Sequence, residues 1–462
     1  MTTPADDTLG ALDRASVFHP MTDLRRFSAG SIPGPRIIAR AEGVYIYDSQ
    51  GRKLLDGFGG LYCVNVGYGR TEIADAIAEQ ARTLAYYHLY AGNSHETAIV
   101  LADHLVRLAP AGMKRVYFGL SGSDANDTQV KIVWYVNNVL GRPRKKKIIS
   151  RHRGYHGATV MAGSLTGIPV FHRAFDLPVP RVLHTMTPHA YWEAAAGESE
   201  LGFSARCAHE LEQLILREDP DTVAAFIAEP MMGSGGIIPP PAGYWPAIQE
   251  VLRKYDILMI ADEVVCGFGR LGADFGCLRY DIKPDLITVA KGLTSAYAPL
   301  SAVIVGERVW GALEKGSDEF GPFAHGYTYT GHPIGTAAAV ANLKILEREN
   351  LRENAARVGR HVIGALRDRL ASHPLVGEIR GEGLLFAIEL VADREKKVRF
   401  DPALKVGAAA SAACLERGLI ARAMPGGDIL GFAPPLTLTL AEADALVDMT
   451  CAALQSLLRR PE

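Results

Sequence analysis

Short apolar runs recur through the middle of the chain, each bounded by turn residues: "RVYFGL" (115–120), "KKIISR" (146–151), "VAAFIAEP" (223–230), "ILMIADE" (257–263), "DLITVAK" (285–291) and "SAVIVG" (301–306). Between several of them apolar positions fall three and four apart, as in "DANDTQVKIVWYVNNVLG" and "YWPAIQEVLRKY". The first pattern predicts strands buried on both faces, the second helices with one apolar side. Their alternation predicts an α/β fold, a large domain whose mostly parallel mixed sheet is covered by helices.

The rhythm changes at "GHPIGTAAAVANLKILERENL", which reads as one long helix. It leads into "LVGEIRGEGLLFAIEL" and "GLIARAMPGGDILGFAPPL", which read as strands of a smaller α+β domain. The large domain is therefore expected over 71–335 and the small one over 336–462. Near the start, "GVYIYDSQGRKLLDGFGG" reads as a hairpin turning at "DSQG".

Composition narrows the partners. With 462 residues and 48% hydrophobic content the chain can bury sizeable cores. Its 49 basic and 51 acidic residues leave a formal charge of -2, so no global field favours nucleic acid or an anionic membrane. Small molecules are the expected ligands. The lone basic run "RPRKKK" (142–147) reads as a solvated turn. The cysteines form no CxxC pair, which suits reduced thiols and offers no cysteine metal site. An acidic N-terminus without an apolar core, and no apolar run of about 18 residues, lead to the expectation of a soluble cytoplasmic protein.

In open α/β sheets ligands sit beyond the carboxyl ends of the strands, so polar residues just after apolar runs are the ones to examine. Asp262 and Glu263 end one run, Lys291 another and Glu229 a third, while "RVYFGL" runs into "SGSDAND". Asp262 and Lys291 could form a salt bridge at a sheet edge, or they could face one cleft. Ser121, Gly122 and Ser123 lead into a helix whose free N–H groups would hold a phosphate. The alternative is an ordinary Ser123 N-cap with Asp124 and Asp127 in the first turn. "GFGRLG" (267–272) matches a dinucleotide fingerprint but follows "DE" and precedes no clear helix, so it is set aside. "HRGYHG" (152–157) carries two histidines among glycines and reads as an aromatic loop, not a metal pair.

Taken together, a strand-end lysine, a strand-end aspartate, a phosphate-binding turn and a loop aromatic point to pyridoxal phosphate. Its aldehyde needs an amine, its ring nitrogen an aspartate, its phosphate a helix N-terminus and its ring a flat apolar partner.

At this point the chain resembles the class III aminotransferases of fold type I, and among them the pyruvate-dependent ω-transaminases. The resemblance spans nearly the whole chain and is carried by "DGFGGLYCVNVGYGR", "SGSDAND", "RGYHGAT", "AEPMMGSGGIIPP", "ADEVVCGFGRLG", "ITVAKGLTSAYAPLSAVIV" and "HGYTYTGHP". It implies that Lys291 carries the cofactor and that Asp262 pairs with its ring nitrogen. It implies Tyr155 and Val264 against the ring, Ser121, Gly122 and Ser123 around the phosphate, and Glu229 as a nearby polar partner. Thr328 would reach the phosphate from a second subunit, which implies a homodimer or a dimer of dimers.

The resemblance further implies that 1–70 contributes to the small domain and to the mouth of the site. Substrate contacts are implied at Met21, Leu61, Tyr62, Tyr155, Ala158 and Ser234, with Arg422 binding a carboxylate. The chain departs from the family pattern at Asp124, where Glu is usual, at Met21, often Phe, and at Tyr62, often Trp. The expected reaction moves an amino group from an amine or a β- or ω-amino acid to pyruvate in two half-transfers. A racemase, aminomutase or decarboxylase on the same cofactor, or a non-catalytic binder of it, are the other readings.

Overall fold

The computed structural model describes residues 6–458; the first five and last four residues, which belong to the expected N-terminal segment and small domain, lie outside the described residues. Its centre is a seven-stranded sheet. In spatial order the strands are Met113–Gly119, Ser301–Gly306, Leu286–Val289, Leu258–Asp262, Val223–Ala228, Lys147–Arg151 and Val182–Thr185. Ser301–Gly306 runs against both of its neighbours, and the remaining pairs are parallel. Every residue of Val223–Ala228, Leu258–Asp262 and Leu286–Val289 is buried, because helices cover both faces and a one-sided alternation has no purpose there.

Two four-stranded sheets flank this centre. One starts with Ile38–Glu42 and the hairpin of Tyr45–Asp48 and Lys53–Asp56. It is closed by Leu419–Ile420, which pairs in parallel with Lys53–Asp56, so the chain's beginning is knitted to its C-terminal part. The other joins Val376–Glu382, Leu385–Leu390, Ile429–Phe432 and Arg422–Ala423 in antiparallel fashion. The turn at "DSQG" forms as expected, with Gly51 N donating to Asp48 O.

Three expectations change. The expected long helix forms as Pro333–Arg348 but stops short of the end of its stretch, where Asn350 adopts a left-handed conformation and a second helix, Leu351–Arg369, begins. Asparagine tolerates that conformation better than most residues, so a residue that reads as helix interior becomes the break. The basic run is a turn only partly in solvent. Lys145 is only 5% exposed and donates to Tyr255 O, while Arg142, Arg144 and Lys147 pair with Asp256, Asp219 and Glu218. Finally, the helix after "RVYFGL" starts at Gly122 and its N-cap is Ser121, not Ser123.

Among the described residues no helix is long and apolar enough to cross a membrane, and no group of side chains has metal-ligand geometry.

Candidate active site

A cavity of about 400 Å³ opens beyond the sheet, where the carboxyl ends of the parallel strands meet the start of Ser301–Gly306. Lys291, Asp262, Glu229, Ser121, Gly122, Ser123, Tyr155, Val264 and Ser234 all line it. The placement follows from chain direction: parallel strands that end together deliver their following residues to one edge.

Lys291 stands two residues beyond its strand, at the first position of a 3-10 turn with φ 46°. Ser295 and Ala296 in the same loop also have positive φ. Such conformations cost about 1 to 3 kcal/mol each and persist only when the surroundings impose them. Here the surroundings do: Asn342 donates to the Gly292 and Leu293 carbonyls, and Val66 N donates to Ser295 Oγ. Gly292 fits against Asn65, whose amide nitrogen would lie 2.5 Å from any added Cβ. The lysine is thus aimed by its loop. Burial at the floor of the cavity lowers its pKa below the usual lysine value, an effect that the charges of Asp262 and Glu229 oppose.

Asp262 ends the next strand, 2% exposed. Its Oδ2 accepts from His156 Nδ1 at 2.8 Å and from Asn126 Nδ2 at 2.9 Å, and its Oδ1 accepts from Val264 N at 3.1 Å. A carboxylate has about four acceptor positions, so Oδ1 keeps capacity for one further donor. Asn126 is itself fixed, donating to His156 O and accepting from Thr288 Oγ1, which Gln129 also holds. Three chain segments thereby set one carboxylate.

At the far end of the cavity Ser121 caps the helix Gly122–Val139 in a capping box with Asp124. The backbone amides of Gly122 and Ser123 make no hydrogen bond among the described residues. A Cβ on Gly122 would meet Val264 at 3.0 Å, so the glycine lets Val264 lie close against the helix start. Ser123 Oγ accepts from Ala158 N and pins the loop that carries Tyr155 across that start.

Glu229 sits behind Tyr155. Its Oε1 accepts from Tyr155 N and Gly233 N, and the buried Arg151 holds it from beneath through its carbonyl at 2.6 Å and its carboxylate at 3.4 Å. Tyr155 packs edge-on against Phe171.

These features fit pyridoxal phosphate. There is an amine at one end, a carboxylate with an acceptor position to spare beneath, free N–H groups at a helix start, and Tyr155 and Val264 as apolar walls.

Other expected residues stand outside the cavity of the single chain. Met21 is 67% and Leu61 52% exposed, and Ala158 is exposed. Tyr62 is buried, its ring against Phe58 and its hydroxyl 3.6 Å from Met424 Sδ, with its ring centroid 5.9 Å from Lys291 Nζ. Burial and Glu229 raise its pKa against the pull of Arg422 and Ser234. Arg422 is half-buried with its guanidinium 5.4 Å from the Phe58 ring centre, and its charge is felt by Lys291 and Tyr155. Thr328 is exposed, its carbonyl accepting from Tyr86.

Sequence reasoning missed Asn126, His156 and Arg151. Asn126 had only a weak signal, since it shares the buried side of its helix with three other polar residues, Thr128, Gln129 and Asn137. His156 lay in the loop already singled out, one residue past Tyr155.

The family model for class III aminotransferases matches residues 27–454. The chain belongs to that family. Among curated relatives it is 58% identical over 440 residues to a diaminobutyrate–2-oxoglutarate transaminase of Halomonas elongata, covering 95% of this chain and 94% of the relative. Among solved structures, a transaminase from work on directed evolution by ancestral reconstruction superimposes with a TM-score of 0.97 at 63% identity, covering 98% and 99% of the two chains. The ω-transaminase of Pseudomonas jessenii in complex with PMP gives 0.95 at 46% identity, covering 98% of each. This class III aminotransferase is therefore a pyridoxal-phosphate-dependent enzyme of fold type I that takes amine and keto acid substrates.

Proposed function

We propose that this aminotransferase moves an amino group from an amine or a β- or ω-amino acid to pyruvate, giving alanine, in two half-transfers of ping-pong type. The observation that carries the reading is the aimed lysine: Lys291, held in a left-handed turn, faces the same cavity as Asp262. When bound, pyridoxal phosphate supplies an aldehyde that takes up amino groups and a ring that accepts electrons from a breaking C–H bond.

Lys291 would carry that group and, once displaced by the donor, take the proton from the donor's amine-bearing carbon at Nζ. Its lowered pKa favours the neutral amine that this step needs. In the return half the same Nζ delivers a proton to the acceptor's carbonyl carbon. Asp262, oriented by His156 and Asn126, would keep the ring nitrogen protonated. The free amides of Gly122 and Ser123 would bind the phosphate, and Tyr155 and Val264 would flank the ring.

Pyruvate is preferred on charge. Lys291 is the one lysine or arginine among the described residues lining the cavity, and the charge of Glu229 is already met by Arg151. A keto acid with one carboxylate needs one cation, which Arg422 would supply. A second carboxylate would find no further cation on the cavity lining, because Arg151 lies behind it and is already paired with Glu229. The competing acceptor is 2-oxoglutarate, named for the Halomonas relative.

The homodimer belongs to the same proposal. Tyr86, Tyr87, Tyr90 and Tyr329 are exposed around Thr328, beside an apolar cleft, as a surface awaiting a second copy would be. The expected location is the cytoplasm, and the expected units are a large domain over 71–335 and a small one over 336–462 joined by 1–70.

The test is to add an amine donor and then a keto acid to purified holoenzyme while recording visible absorbance and product. The donor should bleach the band, and pyruvate should restore it with one alanine per amine consumed. Glutamate from 2-oxoglutarate, with no alanine from pyruvate, would overturn the acceptor assignment.

A further inference from the structure

Beyond the cavity, two stretches of backbone and a histidine ring converge on one half-buried arginine. Arg153, two residues before Tyr155, donates from Nε to Gly235 O at 2.9 Å and from Nη2 to Gly426 O at 3.1 Å, with His189 Nδ1 3.2 Å from Nη1. A second arginine, Arg380, reaches the same loop from the small sheet, donating to Gly236 O at 2.7 Å and Ile237 O at 2.9 Å. Glu378 and Glu389 hold Arg380 in turn, at 2.8 and 2.7 Å.

The glycines are what make this approach possible. A Cβ on Gly235 would lie 2.0 Å from Arg153 O, and one on Gly426 would lie 2.6 Å from Gly235 O and 2.8 Å from Arg153 Nη2. Gly236, at φ 134°, would meet the same nitrogen. The backbone is thus moulded around the guanidinium, whose donors are spent on carbonyls of segments far apart in sequence. Charge-assisted hydrogen bonds of this kind are about twice as strong as neutral ones.

What these segments carry gives the contact its meaning. Gly235 follows Ser234 on the cavity wall, Gly426 lies four residues beyond Arg422, and Arg153 stands on the Tyr155 loop. We infer that Arg153, backed by Arg380, is a positioning residue: it fixes the Ser234 loop against the Arg422 loop and so sets where a substrate carboxylate is received. This rests on the proposed role of Arg422 as the carboxylate-binding residue. Lysine could not replace it, since a single ammonium has neither the reach nor the planar fork to serve both carbonyls.

Two holoenzyme variants test the inference, Arg153→Gln and Gly426→Ala, the second wedging the same contact open without touching the arginine. The readouts are the half-reactions with a keto acid and with an amine lacking a carboxylate, together with hydrogen exchange of 233–237 and 424–428. Each variant should raise the keto acid KM about tenfold, the effect of losing one hydrogen bond to a charged group. The amine half-reaction should stay within about twofold, and both segments should exchange faster. The keto acid effect should disappear in an Arg422→Ala background. Equal losses with both substrates, or unchanged exchange with unchanged KM, would overturn the inference. If Arg422→Ala alone leaves the keto acid KM unchanged, the carboxylate reading falls, and the clamp is judged on exchange: faster in both variants supports it, unchanged overturns it.

Discussion

The two sides of the cavity are built differently. On the sheet side, Asp262 and Lys291 follow directly from strand ends, and their partners Asn126, His156 and Asn342 are side chains on neighbouring elements. On the other side, Ser234 and Arg422 sit at the seam between the large sheet and the two smaller ones, fixed by arginines that bond to backbone carbonyls. The first arrangement is rigid because its scaffold is one continuous sheet whose inner strands are wholly buried. The second depends on how separate sheets are seated. On the proposed roles of these residues, chemistry common to all substrates would belong to the sheet side, and discrimination between substrates to the seam.

The largest expected effect tests the common side. Lys291→Ala should lower amino transfer about 10²- to 10⁴-fold, the usual contribution of a positioned acid–base group. The loss should be the same factor for a diamine, an ω-amino acid and a simple amine, measured as kcat/KM for each. A loss that varied widely between donors would put discrimination at the lysine and break the comparison.

A smaller effect sharpens it. Asn126→Ala removes one donor from Asp262 Oδ2 and frees the Thr288 hydroxyl, leaving His156 and Val264 N to orient the carboxylate. A hydrogen bond to a charged group contributes about 1.5 to 3 kcal/mol, so kcat should fall about tenfold or somewhat more. Donor ratios should hold. In single-turnover kinetics the drop should appear in the proton-transfer step, with keto acid KM unchanged.

The same division explains what could be read from the sequence. Apolar runs ending in a charged residue are a local signal, so Asp262, Lys291 and Glu229 were legible, and so was the serine-glycine helix start. The seam has no local signature. Arg153, Gly235 and Gly426 are far apart in the chain, and nothing in their neighbours says that a guanidinium will pass between two glycines. Tyr62 shows the difference within a single stretch: its motif was legible, but its burial against Phe58 and Met424 depends on the C-terminal strands. Asn350 and Lys145 were misread for the opposite reason, because local pattern favoured a helix interior and a solvated turn while long-range packing decided otherwise.

The smallest effect expected on activity, none, concerns Glu263, the residue after Asp262 and on the same strand end, whose change is read in stability instead. Two adjacent carboxylates here have separate tasks. Asp262 faces the cavity, whereas Glu263, fully buried, accepts from Gly276 N and Cys277 N at 2.9 and 2.6 Å and ties down the 276–279 turn. Burial pushes its pKa up from 4.5 to about 7, with the Asp262 charge adding to the rise and the two backbone donors opposing it. The folded-state value therefore lies above the unfolded one. The stabilisation that protonation of Glu263 gives is complete below about pH 4.5 and is lost as pH rises through about 7. The shift corresponds to on the order of 3 kcal/mol. Glu263→Gln keeps an acceptor for one of the two amides and removes the charge. The difference in thermal stability between wild type and variant should therefore shift in the variant's favour between pH 5 and pH 8. Scanning calorimetry at those two values reads it, and subtraction cancels the other titrating groups. Donor ratios should not move, because Glu263 points away from the cavity. A pH-independent difference would mean that the backbone donors keep this carboxylate charged throughout, as a fixed anchor for the 276–279 turn.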